Sequence, residues 1–536
     1  MSHAGRLRTI SAGLNGESGQ EENTGTPGPQ KGFTRVANHG LLTVAVMAAS
    51  IMQSLDSTIA NVALPKMQGE ISATQDQMGW VLTSYIVASA IMIPLTGWLA
   101  GRFGRKPVFL ISIAGFTITS ALCGMSGTLT QIVVFRLLQG MSGAALVPLS
   151  QALLFDINPP ENYGKAMAVW GMGATMGPIL GPALGGWLTE NYSWHWVFYI
   201  NLPIGLASFL VLSALMPNTE KQDRNFDFFG FLTLSLGIGA LQMMMDRGEL
   251  KDWFGSAEII SEAVLAGLGL YLFMVHMFTH DRPFVSPALF KDRNFITCSI
   301  YMFLVGIILF ATLSLLPPML QHNMGYPVET TGFITAPRGM GSMLSMFLVS
   351  RIAMKMDVRL VMAVGLGLTA FTLWQMTQFS LYMNSWPVII SGFLQGVGIS
   401  LTYVPLSTLA FATLAADLRN EGTAFFNLMR NIGSAVGISI VQFLLIRNTQ
   451  IMHATMTEHI MPYNTGSMAY MAIHADTSSL TGLAGLNAMI TNQAAMIGYI
   501  NDFYLMMVIT LAVIPLLLIL KKPVNPAAKE EVVVMD

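Results

Sequence analysis

A carboxylate and a guanidinium set inside apolar stretches are the residues of this sequence best placed to do chemistry. Asp56 falls within residues 41–63 and Arg136 within residues 130–154, both otherwise dominated by apolar or small side chains. A charge at the centre of a bilayer costs at least about 2.5–3.5 kcal/mol, so an acid kept there has a use. A buried carboxyl favours its protonated form, and a neighbouring cation favours its ionised form. A conformational change that alternates the two environments binds and releases a proton, with Asp56 as carrier and Arg136 as modulator. The structural alternative is that Asp56 is a hydrogen-bonding or capping residue near the outer end of its helix. Asp156, Asp246, Asp417, Glu421 and Asp502 are expected at or near span ends. No Gly-x-x-x-x-Gly-Lys-Ser/Thr loop and no His-Glu-x-x-His pair occurs, which argues against ATP hydrolysis or zinc chemistry. No nucleophile–base or metal cluster is visible, so the chain does not read as an enzyme. It needs no cofactor, and a proton gradient is the available energy source.

The elements that hold these residues are membrane helices. The chain is 53% hydrophobic and 10% charged, against about 25% charged in soluble domains. Fourteen stretches approach the roughly 20 apolar residues needed to span a bilayer: 41–63, 79–100, 107–127, 130–154, 164–188, 196–216, 227–245, 257–278, 294–320, 328–350, 358–379, 387–412, 421–446 and 502–520. Of the 27 Lys and Arg residues, 20 then fall on the side of both termini and 4 on the other, with Arg136, Arg338 and Arg430 inside spans. That asymmetry places both termini in the cytoplasm. Residues 1–38, rich in Gly, Ser, Glu, Gln and Pro, read as a disordered cytoplasmic tail, as do residues 523–536. Residues 447–500 read as a long outer loop, either a docking site for a partner or plain disorder. A net charge of −2 leaves no electrostatic footprint for nucleic acid. Cys123 and Cys298 lie in apolar spans and read as packing residues.

Two distant spans share a phrase. Leu138-Gln139-Gly140 recurs as Leu394-Gln395-Gly396, and Val147-Pro148-Leu149-Ser150 recurs as Val404-Pro405-Leu406-Ser407. Both phrases occupy the fourth of six spans if spans seven and eight are an insertion. Related halves with substrate handled between them are common among transporters. The expected organisation is a bundle over 39–216, two inserted helices over 217–280, and a second bundle over 281–522. Arg136 corresponds to Gly392 in the second copy, so the fold itself does not require an arginine there.

Four motifs carry a family resemblance. They are the run from Leu55 and Asp56 through Asn61 to Pro65; Gly97 to Lys106, with Arg102, Gly104 and Arg105; Arg136 to Gly140, with Gln139; and Gly177-Pro178-Ile179-Leu180-Gly181-Pro182-Ala183-Leu184-Gly185-Gly186. Together they resemble the fourteen-span drug:proton antiporters of the major facilitator superfamily, within them the EmrB type. The second motif departs from the common pattern, with Gly101 where an acid is usual. The third resembles the proton-transfer motif, and the fourth the antiporter motif of exporters. Glycines allow close helix approach and prolines bend helices, so the fourth segment can seal a pathway or act as a hinge. The segment Trp194 to Pro203 and the residues Asn427, Arg430 and Gly433 agree with the same family. Arg430 and Asn427 are candidate substrate-binding residues, with helix pairing as the alternative for Arg430.

The resemblance implies a major facilitator fold and proton-coupled export of lipophilic drugs, uncouplers or fatty acids across an inner membrane. It also implies a periplasmic adaptor, an EmrA-type membrane fusion protein, and a TolC-type outer-membrane channel, with residues 447–500 as the contact. The 39 methionines suit core filling and adaptable apolar pockets. The alternatives are a dedicated metabolite, fatty-acid or siderophore exporter on the same fold, and a transporter-like receptor.

Overall fold

The computed structural model describes residues 38–159, 162–219, 221, 225–281, 283–352, 356–415, 418–458 and 479–520. The expected tails, Asn38 aside, lie outside the described residues, as do the side chains of 75, 76, 178, 179, 182, 183, 329, 330 and 350–352. The chain is a succession of helices: α1 His39–Ile71, α2 Gln75–Phe103, α3 Arg105–Gly124, α4 Leu129–Gly143, α5 Leu146–Ile157, α6 Tyr163–Asn191, α7 Trp196–Tyr199, α8 Asn201–Leu215, α9 Phe228–Arg247 and α10 Ala257–Thr279. Then come α11 Arg293–Pro318, α12 Val328–Thr335, α13 Pro337–Ile352, α14 Val358–Met376, α15 Trp386–Ala412, α16 Arg419–Glu458 and α17 Leu480–Val513. Among the described residues, 12 helices are long and apolar enough to cross a membrane. The expected spans 164–188 and 328–350 are helical as well, as α6 and as the pair α12 and α13.

Local chemistry sets the boundaries. Thr74 and Gln77 form a reciprocal capping box at the start of α2, satisfying two of the donors a helix start leaves open. Asp292 accepts from Asn294 and Phe295 N–H at the start of α11. Gly104, at φ +90°, makes the turn between α2 and α3 in a conformation that side chains other than glycine rarely adopt. Pro337 has no N–H to donate, and α12 ends before it.

The contact pattern repeats. In the first half α1 packs on α6, α2 and α3 pack on α4, and α3 packs on α8. In the second, α11 packs on α16, α13 and α14 pack on α15, and α14 packs on α17. The pair α9 and α10 lies outside both sets, with α9 against α2 and α16. Glycines mark the equivalent crossings. Gly177 and Gly181 of α6 face Leu55 and Thr58 of α1, while Gly433 and Gly437 of α16 face Phe303 and Ile307 of α11. Both pairs stand 256 residues apart, as do Leu138 and Leu394.

A side chain at Gly177 would start 2.6 Å from the Leu55 nitrogen and the Ser54 carbonyl carbon. Backbone cannot yield there as a flexible side chain could. Gly177→Val is therefore expected to lower stability by about 1–3 kcal/mol, the usual cost of overpacking. Thermal unfolding in detergent measures it.

The polar stretch after residue 447 differs from the expected structureless loop. α16 continues to Glu458 and α17 begins at Leu480. The two extensions pack as a hairpin, with Gly498 against Leu445 and Thr449 and His453 Nε2 at 3.0 Å from Asn487 Oδ1. The run is Ala- and Met-rich, and one packed face suffices to hold a helix where hydropathy alone reads as loop. Residues 459–478 lie outside the described residues.

Candidate functional site

Asp56 sits mid-way along α1 and is wholly buried. Its Oδ2 accepts from Arg136 Nη1 at 2.6 Å. Its Oδ1 accepts from Gln139 Nε2 and from Asn201 Nδ2, each at 2.9 Å. Arg136 and Gln139 lie one turn apart on α4 and so share a face. Asn201 begins α8 and also donates to Ser120 Oγ of α3 at 3.0 Å. Three helices thus converge on one carboxylate, and α3 holds Asn201 in place.

The guanidinium is held just as fully. Arg136 Nε donates to the Val81 carbonyl at 3.2 Å, and Nη1 donates to Gln139 Oε1 at 2.8 Å. Its carbon lies 4.1 Å from the centre of the Tyr85 ring, a cation–π contact. Gly140 allows this approach, because a side chain there would run into the Tyr85 carbonyl oxygen. Behind α1, Gly177, Gly181 and Gly185 of α6 bring that helix against Ser54, Thr58 and Ile59. Chemically this is a closed neutral pair. Protonating Asp56 removes the charge that holds Arg136, and moving Arg136 away leaves a carboxylate that must take up a proton.

A second cluster closes the basic end of the bundle. Arg105 pairs with Asp156, which Arg419 Nη1 also approaches at 3.4 Å. Arg105 Nε donates to Asn420 Oδ1 at 2.5 Å. Gly97 lets Glu421 come close, since a side chain there would lie 3.1 Å from the Glu421 Cα. Arg102 is exposed at the end of α2. The acid usual at Gly101 is absent, and Asp156 and Glu421 bring negative charge to this end instead. Phe155 packs on Phe411 across the same seam, with ring centres 4.8 Å apart. Asp156→Asn should loosen this closure. A cysteine at Thr408, in a chain with Cys123 and Cys298 replaced by Ser, is expected to label several-fold faster in that variant. Unchanged labelling would show that the ion pair does not hold the seam.

A third cluster bridges the halves deeper inside. Asn427 Nδ2 donates to Gln151 Oε1 at 2.6 Å, and Gln151 Nε2 donates to the Tyr403 hydroxyl at 3.2 Å. Arg430 reaches the same hydroxyl, and the Tyr403 ring stacks on Trp170. Asn427 and Arg430 therefore belong to an interface between the halves.

The structure thus brings together Asp56, Arg136, Gln139 and Gly140, and sets Gly97, Gly104 and Arg105 apart from them. Asn61 and Pro65 are exposed on α1. Gly186 is half-buried, and the side chains of Pro178 and Pro182 lie outside the described residues. Asp502 departs from its expected place at a span end. Because α17 starts at Leu480, Asp502 lies well within that helix, 1% exposed, and neither of its oxygens has a hydrogen-bond partner. The sequence reading missed Tyr85, Ser120, Gln151 and Tyr403 as parts of these clusters. Their one signal was polarity within an apolar span.

The Major Facilitator Superfamily profile matches residues 46–445. The chain belongs to the major facilitator superfamily. The major facilitator relatives it resembles include the Multidrug export protein EmrB of Haemophilus influenzae, 36% identical over 87% of this chain and 92% of the relative. The Fatty acid resistance protein FarB of Neisseria gonorrhoeae is 37% identical over 90% of this chain and 96% of the relative. EmrB of Escherichia coli K12 is 35% identical over 90% and 95%. Among solved major facilitator structures, the human transporter MFSD10 superposes with a TM-score of 0.54 at 14% identity, covering 88% of this chain and 99% of that one. That likeness speaks for the fold alone.

Proposed function

We propose that this chain exports lipophilic drugs or other toxic lipophilic compounds in exchange for protons, acting in an inner membrane with both termini in the cytoplasm. The observation that carries the reading is the buried Asp56–Arg136 pair, fully hydrogen-bonded by Gln139 and Asn201. A buried ion pair is a poor way to gain stability and a natural proton switch. The likeness to EmrB proteins supports the drug-export reading, and the likeness to FarB favours fatty acids as a second cargo class. Proteoliposomes with an imposed pH gradient test it. Substrate movement that follows the gradient and stops when it collapses is expected; movement indifferent to the gradient rejects proton coupling.

In the same reading the chain is the pump of a tripartite system with an EmrA-type adaptor and a TolC-type channel. The helical hairpin of α16 and α17 is the contact. Ile451, Leu480 and Leu483 are exposed on it. Changing all three to Asp is expected to leave proteoliposome transport intact and to abolish drug resistance in cells. Resistance at the unmodified level would remove the hairpin from the assembly.

A further inference from the structure

The second half contains a counterpart of the Asp56 site with its acid missing. Gly140 of α4 abuts the Tyr85 carbonyl of α2, and Gly396 of α15 abuts the Arg338 carbonyl of α13. Gln139 of α4 donates to Asp56 of α1, and Gln395 of α15 donates to Thr312 Oγ1 of α11 at 3.5 Å. The glycine crossings set Leu55 of α1 against Phe303 of α11, so the counterpart of Asp56 is fixed by the hydrogen bond from Gln395 and not by chain spacing. Thr312 therefore stands where the carboxylate would be.

The cation persists but comes from another helix. Gly392 replaces Arg136, and a side chain at Gly392 would lie 3.7 Å from the Arg338 Cβ. Arg338 is 7% exposed, and Thr312 and Gln395 are fully buried. Arg338 Nη2 donates to the Leu309 carbonyl at 3.3 Å, one turn from Thr312 on α11. Its Nη1 has no hydrogen-bond partner, nor has Gln395 Oε1. No carboxylate pairs with Arg338 among the described residues. A buried guanidinium without a counter-charge is costly, and a planar donor fork matches a carboxylate.

We infer that Arg338, with Thr312 and Gln395, forms a binding site for the carboxylate of a lipophilic anion, the ligand supplying the acid this half lacks. The inference deepens the proposed function by assigning a cargo class to a place. In use, the carboxylate pairs with Arg338, the Thr312 hydroxyl turns to it from the Ile308 carbonyl, to which it donates at 2.7 Å, and the hydrocarbon tail lies along apolar helix faces.

The test uses full-length protein in discs of zwitterionic phosphatidylcholine, which removes lipid headgroups as a source of the anion. Laurate binding is compared with that of lauryl alcohol. Arg338→Gln is expected to weaken laurate binding at least tenfold and to leave the alcohol unaffected, with Arg338→Lys between. Thr312→Asp supplies an internal partner for Arg338. It is expected to fold at least as stably as the unmodified chain and to lose laurate binding, so it decides the matter even if Arg338→Gln fails to fold. Laurate binding unchanged in Thr312→Asp, or laurate and alcohol weakened alike in Arg338→Gln, overturns the site. Proton-driven export of an uncharged dye by the same variants separates the two readings: its persistence leaves the coupling site standing whichever way the laurate result falls.

Discussion

Asp56→Asn is expected to reduce pH-driven transport to the level of protein-free liposomes while leaving exchange of labelled for unlabelled substrate in place. The two readouts separate coupling from architecture. Asparagine has the shape of aspartate and can accept from Gln139 and Asn201, so the convergence of α1, α4 and α8 survives. It cannot take up and release a proton. The Arg136 guanidinium then loses its counter-ion in a site with no water-exposed face. Removing one member of a buried pair costs about 3–5 kcal/mol, so a lower unfolding temperature is expected as well. Exchange between identical substrate pools needs alternating access but no net proton movement, so its persistence shows that the rocking machinery remains. Wild-type pumping in Asp56→Asn would take this carboxylate out of the mechanism. Loss of both activities would make it a structural residue.

The sequence carried much of this in two kinds of signal. Apolar length placed the helices, and the charges that broke those runs marked Asp56 and Arg136. That Arg136 would meet Asp56 followed from neither signal, because the two lie 80 residues apart and on different helices. The resemblance supplied the pairing of roles but not the groups that hold the pair. Asn201 stands out in the sequence only as one residue of the Trp194 to Pro203 segment, and Ser120 and Tyr85 look like ordinary residues of apolar spans. The hairpin was misread for a physical reason: α16 and α17 continue beyond their apolar stretches through mutual packing, which hydropathy cannot register. Placing the start of the last span at residue 502 then put Asp502 at an end, when it lies deep within α17. The repeat was legible as two short phrases. The phrases did not reach α11, and it is the hydrogen bond from Gln395 that picks out Thr312 there.

Arg136→Leu is expected to be less stable than the double variant Asp56→Asn/Arg136→Leu, though the double variant departs further from the natural chain. Leucine in place of Arg136 leaves the Asp56 carboxylate buried with only two neutral donors, Gln139 and Asn201. It also removes the bond from Arg136 to the Val81 carbonyl of α2, which keeps its place in the helical ladder. The expected loss is again about 3–5 kcal/mol for breaking a buried pair. Removing the charge on Asp56 as well relieves most of it, because neutral groups of similar volume replace buried ion pairs at little cost or even with gain. The coupling energy from the four proteins, measured by thermal unfolding, should be large, as expected for groups in direct contact. Neither single variant nor the double is expected to pump against a pH gradient. Stability recovered without transport shows what the pair is for. Three helices converge on a charge that an apolar substitute could replace with no loss of fold, and only the movement of a proton needs it there. If the double variant is no more stable than Arg136→Leu, the guanidinium serves the packing of α4 on α2, and its bond to Asp56 is incidental.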